Sequence, residues 1–265
     1  MSAFDAFAPT YDADFTHTPL GQMLRQRVWQ ILSHYFTPGQ HILDLACGAG
    51  EDAVWLARRG LHVTAVDGSP AMCRQTAAKA QQSGLTERIQ VQTVNWQEIA
   101  AQTAPLPENS FDGVLSNFGG LNATHDWGAI AYALSRLVRP GAYLILVPMG
   151  PFCPWETAWH LLHGHPRVAF RRRQHTPALG QIGSSQIPVW YPSWRTLRRQ
   201  FSPWFRYRRT ISLGLWLPPS YLGHLVQRWP RFFAALNHLE AATARLTAGI
   251  GDHYILVLQA PTPTL

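Results

Sequence analysis

The chemically most informative residues of the chain are a glycine-bearing turn and an acid that follows it. Gly48 and Gly50 come after an apolar run at 42–45, and because glycine has no β-carbon, the backbone here can turn tightly and approach a ligand. Asp67 ends a second apolar run, twenty-three residues after Asp44, where a carboxylate can bind both hydroxyls of a ribose. This spacing predicts a nucleotide-type cofactor site, with an ordinary tight strand-to-helix turn as the alternative.

The same turn disfavours a dinucleotide cofactor. Cys47 stands where the first glycine of the three-glycine fingerprint would be, and Val54 and Trp55 stand where small residues would be needed beside a pyrophosphate. A cofactor without a pyrophosphate is therefore the better match.

The stretch Asp44-Leu45-Ala46-Cys47-Gly48-Ala49-Gly50 resembles motif I of class I S-adenosylmethionine-dependent methyltransferases, whose loop often reads DxxCGxG. Asp67 resembles the acidic position that follows in this family, and the resemblance covers residues 1–150. It implies that S-adenosylmethionine is the cofactor, that the loop passes beside its methionine part, and that the acid holds its ribose. The cofactor-binding positions implied here are Ala46, Gly48, Gly50, Asp67 and Gly68.

The resemblance implies further cofactor contacts along the chain. Met72 would lie against the adenine through its soft thioether, and Asn95, beside Trp96, would accept a hydrogen bond from the adenine amino group through its amide oxygen. Tyr11 and Arg25 resemble positions that close over the methionine carboxylate, which a guanidinium can bind in a bidentate manner. Taken alone, Met72 and Asn95 are also typical of turns or of a core, and Arg25 is equally typical of a solvated helix.

The loop at 116–122 is polar and glycine-rich, and it is where the methyl donor and the acceptor would meet. Ser116 opens it as a further cofactor contact. Asn117 is not followed by a Pro-Pro-aromatic sequence, which argues against an amino group of a nucleobase as the acceptor. The candidate substrate-binding residues are Phe118, Asn122, Trp155 and Tyr191.

A general base is optional, because the sulfonium cofactor is intrinsically reactive and the protein mainly has to align the acceptor and exclude water. If the acceptor is a hydroxyl or an acidic carbon, His125 is the predicted base, since histidine titrates near neutrality. The alternative is that His125 and Asp126 cap the next helix. Glu156, His160 and Tyr191 are weaker candidates.

Strands and helices alternate before residue 150. Strands are predicted at 42–45, 61–66, 89–94, 111–116 and 142–147, and helices at 16–36, 52–60, 70–82 and 126–138. This pattern predicts an α/β fold with a Rossmann-like, doubly wound, mostly parallel sheet that binds ligands at the carboxyl ends of its strands. The family resemblance implies seven strands, an antiparallel last strand and a lid formed by insertions.

Beyond residue 150 the alternation becomes irregular. Helices are predicted at 154–163, 193–201 and 219–247, the last broken at Pro230, with an irregular or hairpin excursion at 168–191 and strands at 205–213 and 253–259. We expect one structural domain, divided into an N-terminal helix plus cofactor-binding core (1–150), a lid with returning sheet elements (151–252), and a last strand and tail (253–265).

Charge is distributed unevenly. Residues 1–156 carry a net charge of −4 and residues 157–265 a net charge of +11, and no acid occurs between Thr157 and Leu239. Such a basic, aromatic lid is compatible with an anionic or apolar small molecule, an acidic membrane surface or RNA phosphates. The apolar run at 213–222 favours an enclosed pocket for a small hydrophobic acceptor, with the arginines partly outward.

Composition predicts a cytoplasmic protein, because there is no secretory signal and no apolar run of about 18 residues that could cross a bilayer. Peripheral membrane contact and the oligomeric state stay open. The three cysteines have no metal-binding spacing, and His160, His163 and His165 do not converge on one helix face, so no metal site is predicted.

These observations together predict an S-adenosylmethionine-dependent methyltransferase that acts on O, N or C of a small, aromatic or lipid-like metabolite. One alternative is an RNA methyltransferase that uses the arginine-rich lid, although the sequence disfavours nucleic acid as a partner. A second is a non-catalytic protein that binds S-adenosylmethionine and serves as a partner or regulator.

Overall fold

A seven-stranded sheet forms the centre of the computed structural model, which describes residues 3–174, 176–182 and 185–262. Its strands follow the spatial order β3-β2-β1-β4-β5-β9-β8. Their bounds are β1 His41–Leu45, β2 His62–Asp67, β3 Ile89–Thr93, β4 Phe111–Ser116, β5 Val138–Leu146, β8 Arg206–Leu213 and β9 His253–Gln259.

The pairing pattern is that of a doubly wound sheet. Strands β1 to β5 are parallel to one another, with β1 paired to both β2 and β4. The last strand, β9, is antiparallel to β5 and to β8, between which it lies. The seven-stranded, mostly parallel Rossmann-like sheet with an antiparallel last strand is therefore confirmed.

Helices cover both faces of the sheet, which explains why its strands are continuously apolar. One face carries α2 (Pro19–Leu32), α3 (Glu51–Arg58), α4 (Pro70–Gln82), α10 (Gly223–Arg228) and α11 (Pro230–Thr243). The other carries α5 (Trp96–Ala100), α6 (Trp127–Leu137) and α9 (Trp194–Phe201). Alternate residues of one strand divide between the two cores, as Leu144 and Ile145 of β5 do.

Local sequence signals set the helix ends. Thr18 and Ser69 accept hydrogen bonds from the backbone at the starts of α2 and α4, and Pro230 begins α11, so the predicted break at this residue is confirmed. The strand predicted at 142–147 begins earlier, because residues 139–141 already lie within β5, where the β4–β5 register shifts and Gly141 has φ +82°.

The N-terminal segment contains helical turns that periodicity alone did not predict. It comprises residues 3–16, with a 3₁₀ turn at Ala3–Asp5, α1 (Ala8–Tyr11) and a π-helical turn at Asp12–Thr16. The segment lies against α4: Gln75 Nε2 donates to the Ala8 carbonyl at 2.6 Å, and Lys79 Nζ lies 2.8 Å from an Asp12 carboxylate oxygen. It therefore covers the carboxyl ends of the central strands.

The lid follows β5. It contains α7 (Pro154–Leu162), α8 (Pro166–Ala169) and an antiparallel hairpin of β6 (Ala178–Ile182) and β7 (Ser185–Val189), so the excursion at 168–191 includes a hairpin. In the described part of the chain, none of the helices combines the length and the apolar character needed to span a bilayer.

Candidate functional site

The turn between β1 and α3 has the left-handed backbone that the glycine pattern predicts. Ala46, Gly48 and Gly50 have φ of +53°, +56° and +78°. A β-carbon on Gly50 would lie 2.5 Å from the Thr76 side chain, so this glycine lets α3 start close to α4. It serves helix packing, whereas Gly48 borders the cavity described below.

Asp67 lies at the end of β2, directly opposite this turn. Its carboxylate accepts hydrogen bonds from the backbone N–H of Gly48 at 3.0 Å and of Ser69 at 2.8 Å. Burial raises the pKa of the carboxyl, although both backbone donors act to lower it. Each carboxylate oxygen keeps acceptor capacity for a further donor, so the group can still bind hydroxyls.

A cavity of about 280 Å³, here called the loop cavity, opens at the carboxyl ends of β1, β2, β3 and β4. This is the edge at which a doubly wound sheet binds its ligands. Phe4 also lines it, although no local sequence pattern marks this residue, and so do Asn117 and Gly119 of the loop at 116–122, where donor and acceptor are expected to meet. The expected site residues that do line it are Tyr11, Ala46, Gly48, Asp67, Gly68, Met72, Asn95, Trp96 and Phe118.

Asn95 borders the loop cavity but also has a structural task. Its side-chain oxygen accepts from the Glu98 N–H at 2.9 Å, and Glu98 Oε2 accepts from the Asn95 N–H at 2.8 Å. This capping box starts α5. The amide oxygen expected to bind adenine thus already accepts one hydrogen bond from the protein. Met72, which is 2 % exposed, has no such second task.

A buried charged cluster lies behind the turn. Arg25 Nη1 donates to Asp52 Oδ2 at 2.5 Å, and Asn117 Nδ2 donates to the same oxygen at 2.8 Å. Arg25 is therefore not a solvated helix residue. Burial and the Asp52 charge raise the pKa of Asp44 well above its usual range.

Two atoms of this cluster are buried without a partner among the described residues, namely Arg25 Nε and Asp44 Oδ2. A pocket of about 10 Å³ reaches both residues and shares Tyr11 and Asn117 with the loop cavity. A buried donor and a buried acceptor left open at this place suit a ligand that carries both a carboxylate and an ammonium group.

A second, larger cavity of about 590 Å³, here called the lid cavity, lies between the N-terminal segment and the lid. It shares Phe4, Tyr11, Phe118, Gly119 and Ala123 with the loop cavity, so the two are adjacent. Its walls combine apolar and aromatic side chains with a polar set. The polar side chains are Tyr11, Asp14, Asn122, Glu156, Arg171, Arg172, Tyr191, Ser220, Tyr221, Asp252 and His253.

Ion pairs neutralise the two lid arginines that reach this cavity. Glu156 contacts Arg171 at 2.9 Å and Arg172 at 2.7 Å, and Arg172 also lies 2.7 Å from Asp252. Burial alone would raise the pKa values of Glu156 and Asp252, but Arg172 overcomes this effect and holds both below their usual range. These arginines hold the lid to β9 and are not an open phosphate-binding surface.

His253 begins β9 and faces the lid cavity. Its Nδ1 lies 3.1 Å from Asp252 Oδ2, and its ring packs edge-on against Phe118, with centroids 5.6 Å apart. No hydrogen bond between described residues uses its Nε2, so this nitrogen is available to a ligand.

The structure does not bring His125 to either cavity. It is exposed and stacks on Trp190, while Asp126 caps α6 through Ala129 N–H, as the alternative reading expected. Its exposure and stacking argue against its role as the base.

Three further expected residues also differ from their assigned roles. Trp155 packs against Phe233 and lines neither cavity. Ser116 is buried outside both cavities. Asn122 borders the lid cavity, but its amide is bonded to the backbone of Met149 and Trp190, so it fixes these loops rather than offering free donors.

Comparison with known proteins agrees with this geometry. Residues 42–141 match the family model described as a methyltransferase domain. Residues 42–141 therefore form a methyltransferase domain, the comparisons support an S-adenosylmethionine-dependent methyltransferase of class I, and S-adenosylmethionine is its methyl-donating cofactor.

Particular relatives extend the comparison. The chain is 29 % identical to a demethylmenaquinone methyltransferase of Renibacterium salmoninarum, over 71 % of this chain and 75 % of the relative. It is 33 % identical to a 2-phytyl-1,4-naphthoquinone methyltransferase of Nostoc, over 52 % of this chain and 59 % of that protein. The fold is similar to that of an S-adenosylmethionine-dependent methyltransferase from Methanosarcina mazei, with 18 % identity and a TM-score of 0.60. The match covers 88 % of this chain and 98 % of that chain.

Proposed function

We propose that the protein transfers the methyl group of S-adenosylmethionine to a small hydrophobic acceptor with a hydroxylated aromatic ring of the quinol type. The observation that carries the proposal is the adjacency of the two cavities, which share the rings of Tyr11 and Phe118. Donor and acceptor can then approach each other across one boundary, as in-line transfer requires.

We assign the loop cavity as the cofactor-binding site. Asp67 would accept hydrogen bonds from the ribose hydroxyls, and Met72 would lie against the adenine. The open donor on Arg25 and the open acceptor on Asp44 suit the carboxylate and ammonium groups of its methionine part. The sulfonium supplies an activated methyl group when the cofactor is bound.

We assign the lid cavity as the binding site of the acceptor. Apolar and aromatic side chains such as Phe7, Phe15, Leu24 and Val189 form much of its wall, and a cavity of this kind suits an apolar ring. The quinone-type names of two relatives point to the same class of acceptor.

His253 is our assigned general base. Asp252 Oδ2 lies close to Nδ1, although the two form no hydrogen bond in this structure, and its negative charge would stabilise the imidazolium that forms when Nε2 accepts the proton of an acceptor hydroxyl. The resulting phenolate makes its oxygen and its adjacent ring carbons nucleophilic. S-adenosylmethionine bound in the loop cavity would give up its methyl group to this oxygen or to an adjacent ring carbon and leave as S-adenosylhomocysteine. Transfer to carbon would also require loss of the proton on that carbon to restore the aromatic ring.

The test is methyl transfer from labelled S-adenosylmethionine to chemically reduced naphthoquinones, with the product identified by mass spectrometry and NMR. We expect His253→Gln to lower kcat by about 10²-fold or more without changing cofactor affinity, and to remove the fall in rate at low pH that protonation of a general base produces. His125→Gln is the matched control and should keep full activity.

Three outcomes would contradict the proposal. Equal kcat values for the two histidine variants would remove His253 as the base. Labelling of RNA but of no small molecule would favour the RNA methyltransferase, and no turnover with any metabolite extract would favour a non-catalytic partner protein.

A further inference from the structure

The outer side of the lid exposes an unusual number of large apolar side chains. We call this set the lid face, and three of its members are at least half exposed: Leu162 (85 %), Phe232 (55 %) and Trp229 (51 %). Large apolar side chains that cluster in solvent mark an interaction surface. The residues of the lid face are Leu161, Leu162, Phe170, Tyr221, Trp229 and Phe232.

Contacts between elements place these residues on neighbouring parts of the surface. His160, near the end of α7, lies 3.4 Å from the Tyr221 hydroxyl. Trp155 of α7 packs on Phe233 of α11, with ring centroids 6.0 Å apart, and Phe233 contacts Phe232. The end of α7 is therefore adjacent to the turn at 220–222, and the start of α7 is adjacent to the start of α11.

Unpaired positive charge accompanies the apolar side chains. Arg167, Arg173, Arg228 and Arg231 are exposed, and within the described ranges none of them forms an ion pair. No acid occurs between Thr157 and Leu239. Exposed Trp, Phe and Leu combined with arginine and without acids are typical of segments that insert at the interface of an anionic bilayer.

The lid face also borders the mouth of the lid cavity. Tyr221 is 46 % exposed and lines that cavity, and Phe170 directly precedes the lining residue Arg171. We propose that the lid face docks on an anionic lipid bilayer, so that an apolar acceptor dissolved in the membrane reaches the lid cavity without crossing water. The docking itself does not depend on the proposed methyl transfer.

The experiment is sedimentation of the full chain with vesicles of phosphatidylglycerol and phosphatidylcholine, compared with phosphatidylcholine alone. We expect binding to the anionic vesicles only, weakening as salt rises because exposed charges are screened. Leu162→Glu and Phe232→Glu should each lower the partition coefficient about tenfold, and Arg231→Glu at least about fivefold.

Leu246→Glu is the matched control, because Leu246 is 86 % exposed but lies beyond the far end of α11, about 20 Å from Phe232. Every variant should keep the wild-type affinity for S-adenosylhomocysteine, which separates failure of docking from failure of the fold or the cofactor site. Absence of sedimentation with any vesicle would overturn the proposal. So would a dimer that Leu162→Glu dissociates, or RNA binding that the same variants abolish while vesicle binding is absent.

Discussion

At the scale of single residues, Asp67 illustrates how one carboxylate serves both the fold and the proposed ligand. It accepts two backbone hydrogen bonds across the turn while lining the loop cavity. Asp67→Ala should weaken S-adenosylmethionine binding by roughly 10²-fold, since hydrogen bonds to a charged group each contribute about 1.5–3 kcal/mol. Isothermal titration calorimetry measures this loss.

The matched control for this substitution is Asp112→Ala. Asp112 also accepts a backbone hydrogen bond, from His41 at 2.8 Å, and pairs with Arg139. However, it lies near the amino end of β4, whereas the loop cavity opens at the carboxyl ends of the strands. Asp112→Ala should leave the dissociation constant of S-adenosylmethionine unchanged. An unchanged constant in the Asp67→Ala variant would contradict our assignment of the loop cavity as the cofactor-binding site.

Local sequence patterns mark some of the site residues but not all of them. Asp67 and Met72 were predictable because motif spacing fixes their place at strand and helix ends. His253 was not, since no local pattern marks it. Only the position of β9 beside β5 brings it to Phe118, and the nearer histidine in the sequence, His125, stacks outside on Trp190.

At the scale of elements, Arg172 joins α7 to the start of β9 through Glu156 and Asp252. Arg172→Met would leave both carboxylates buried without this partner, which should destabilise the protein by about 3–5 kcal/mol at pH 7.5. The exposed pair Arg136–Glu108 provides the control, because Arg136→Met should change the free energy of unfolding by less than about 1 kcal/mol.

The loss of stability caused by Arg172→Met should depend on pH. In the wild type the folded-state pKa values of Glu156 and Asp252 are lowered, so their stabilisation is fully present above the unfolded pKa, about 4, and is lost as pH falls further. In the variant, burial raises these pKa values, so lowering the pH from 7.5 to 5.5 should reduce the difference from wild type. Urea unfolding at both pH values measures it, and equal differences would contradict this account.

The same elements explain why the lid was the least predictable part of the fold. Alternating strands and helices made the sheet predictable from the sequence up to β5, because the residues of each βαβ unit are close together in the chain. An acid-free arginine segment instead predicted cations pointing partly outward. Arg172 in fact meets Asp252 eighty residues later, a pairing that depends on the sheet order and cannot be read from neighbouring residues.

At the scale of the whole molecule, the N-terminal segment closes both cavities and is attached through a few polar contacts. Asp5 accepts from the Ser69 hydroxyl at 2.6 Å, and Lys79 lies 2.8 Å from Asp12. S-adenosylhomocysteine should slow chymotryptic cleavage at Tyr11 and Phe15 several-fold, since a ligand that binds only the closed state stabilises it by RT ln(1 + [L]/Kd). Mass spectrometry of timed digests measures the rate.

Lys79→Ala should speed this cleavage in the absence of ligand, because it removes the contact with Asp12. A cleavage rate at Tyr11 that is unaffected by saturating S-adenosylhomocysteine would show that the segment does not respond to the cofactor.

Tyr11 and Phe118 border both the loop cavity and the lid cavity, and this sharing has a kinetic consequence. A ligand in the loop cavity completes the wall against which the second ligand binds, so the acceptor's affinity depends on prior occupancy by the donor. We therefore expect a compulsory order of addition, with the cofactor entering first and its demethylated product leaving last. S-adenosylhomocysteine would then inhibit competitively against the cofactor and noncompetitively against the acceptor.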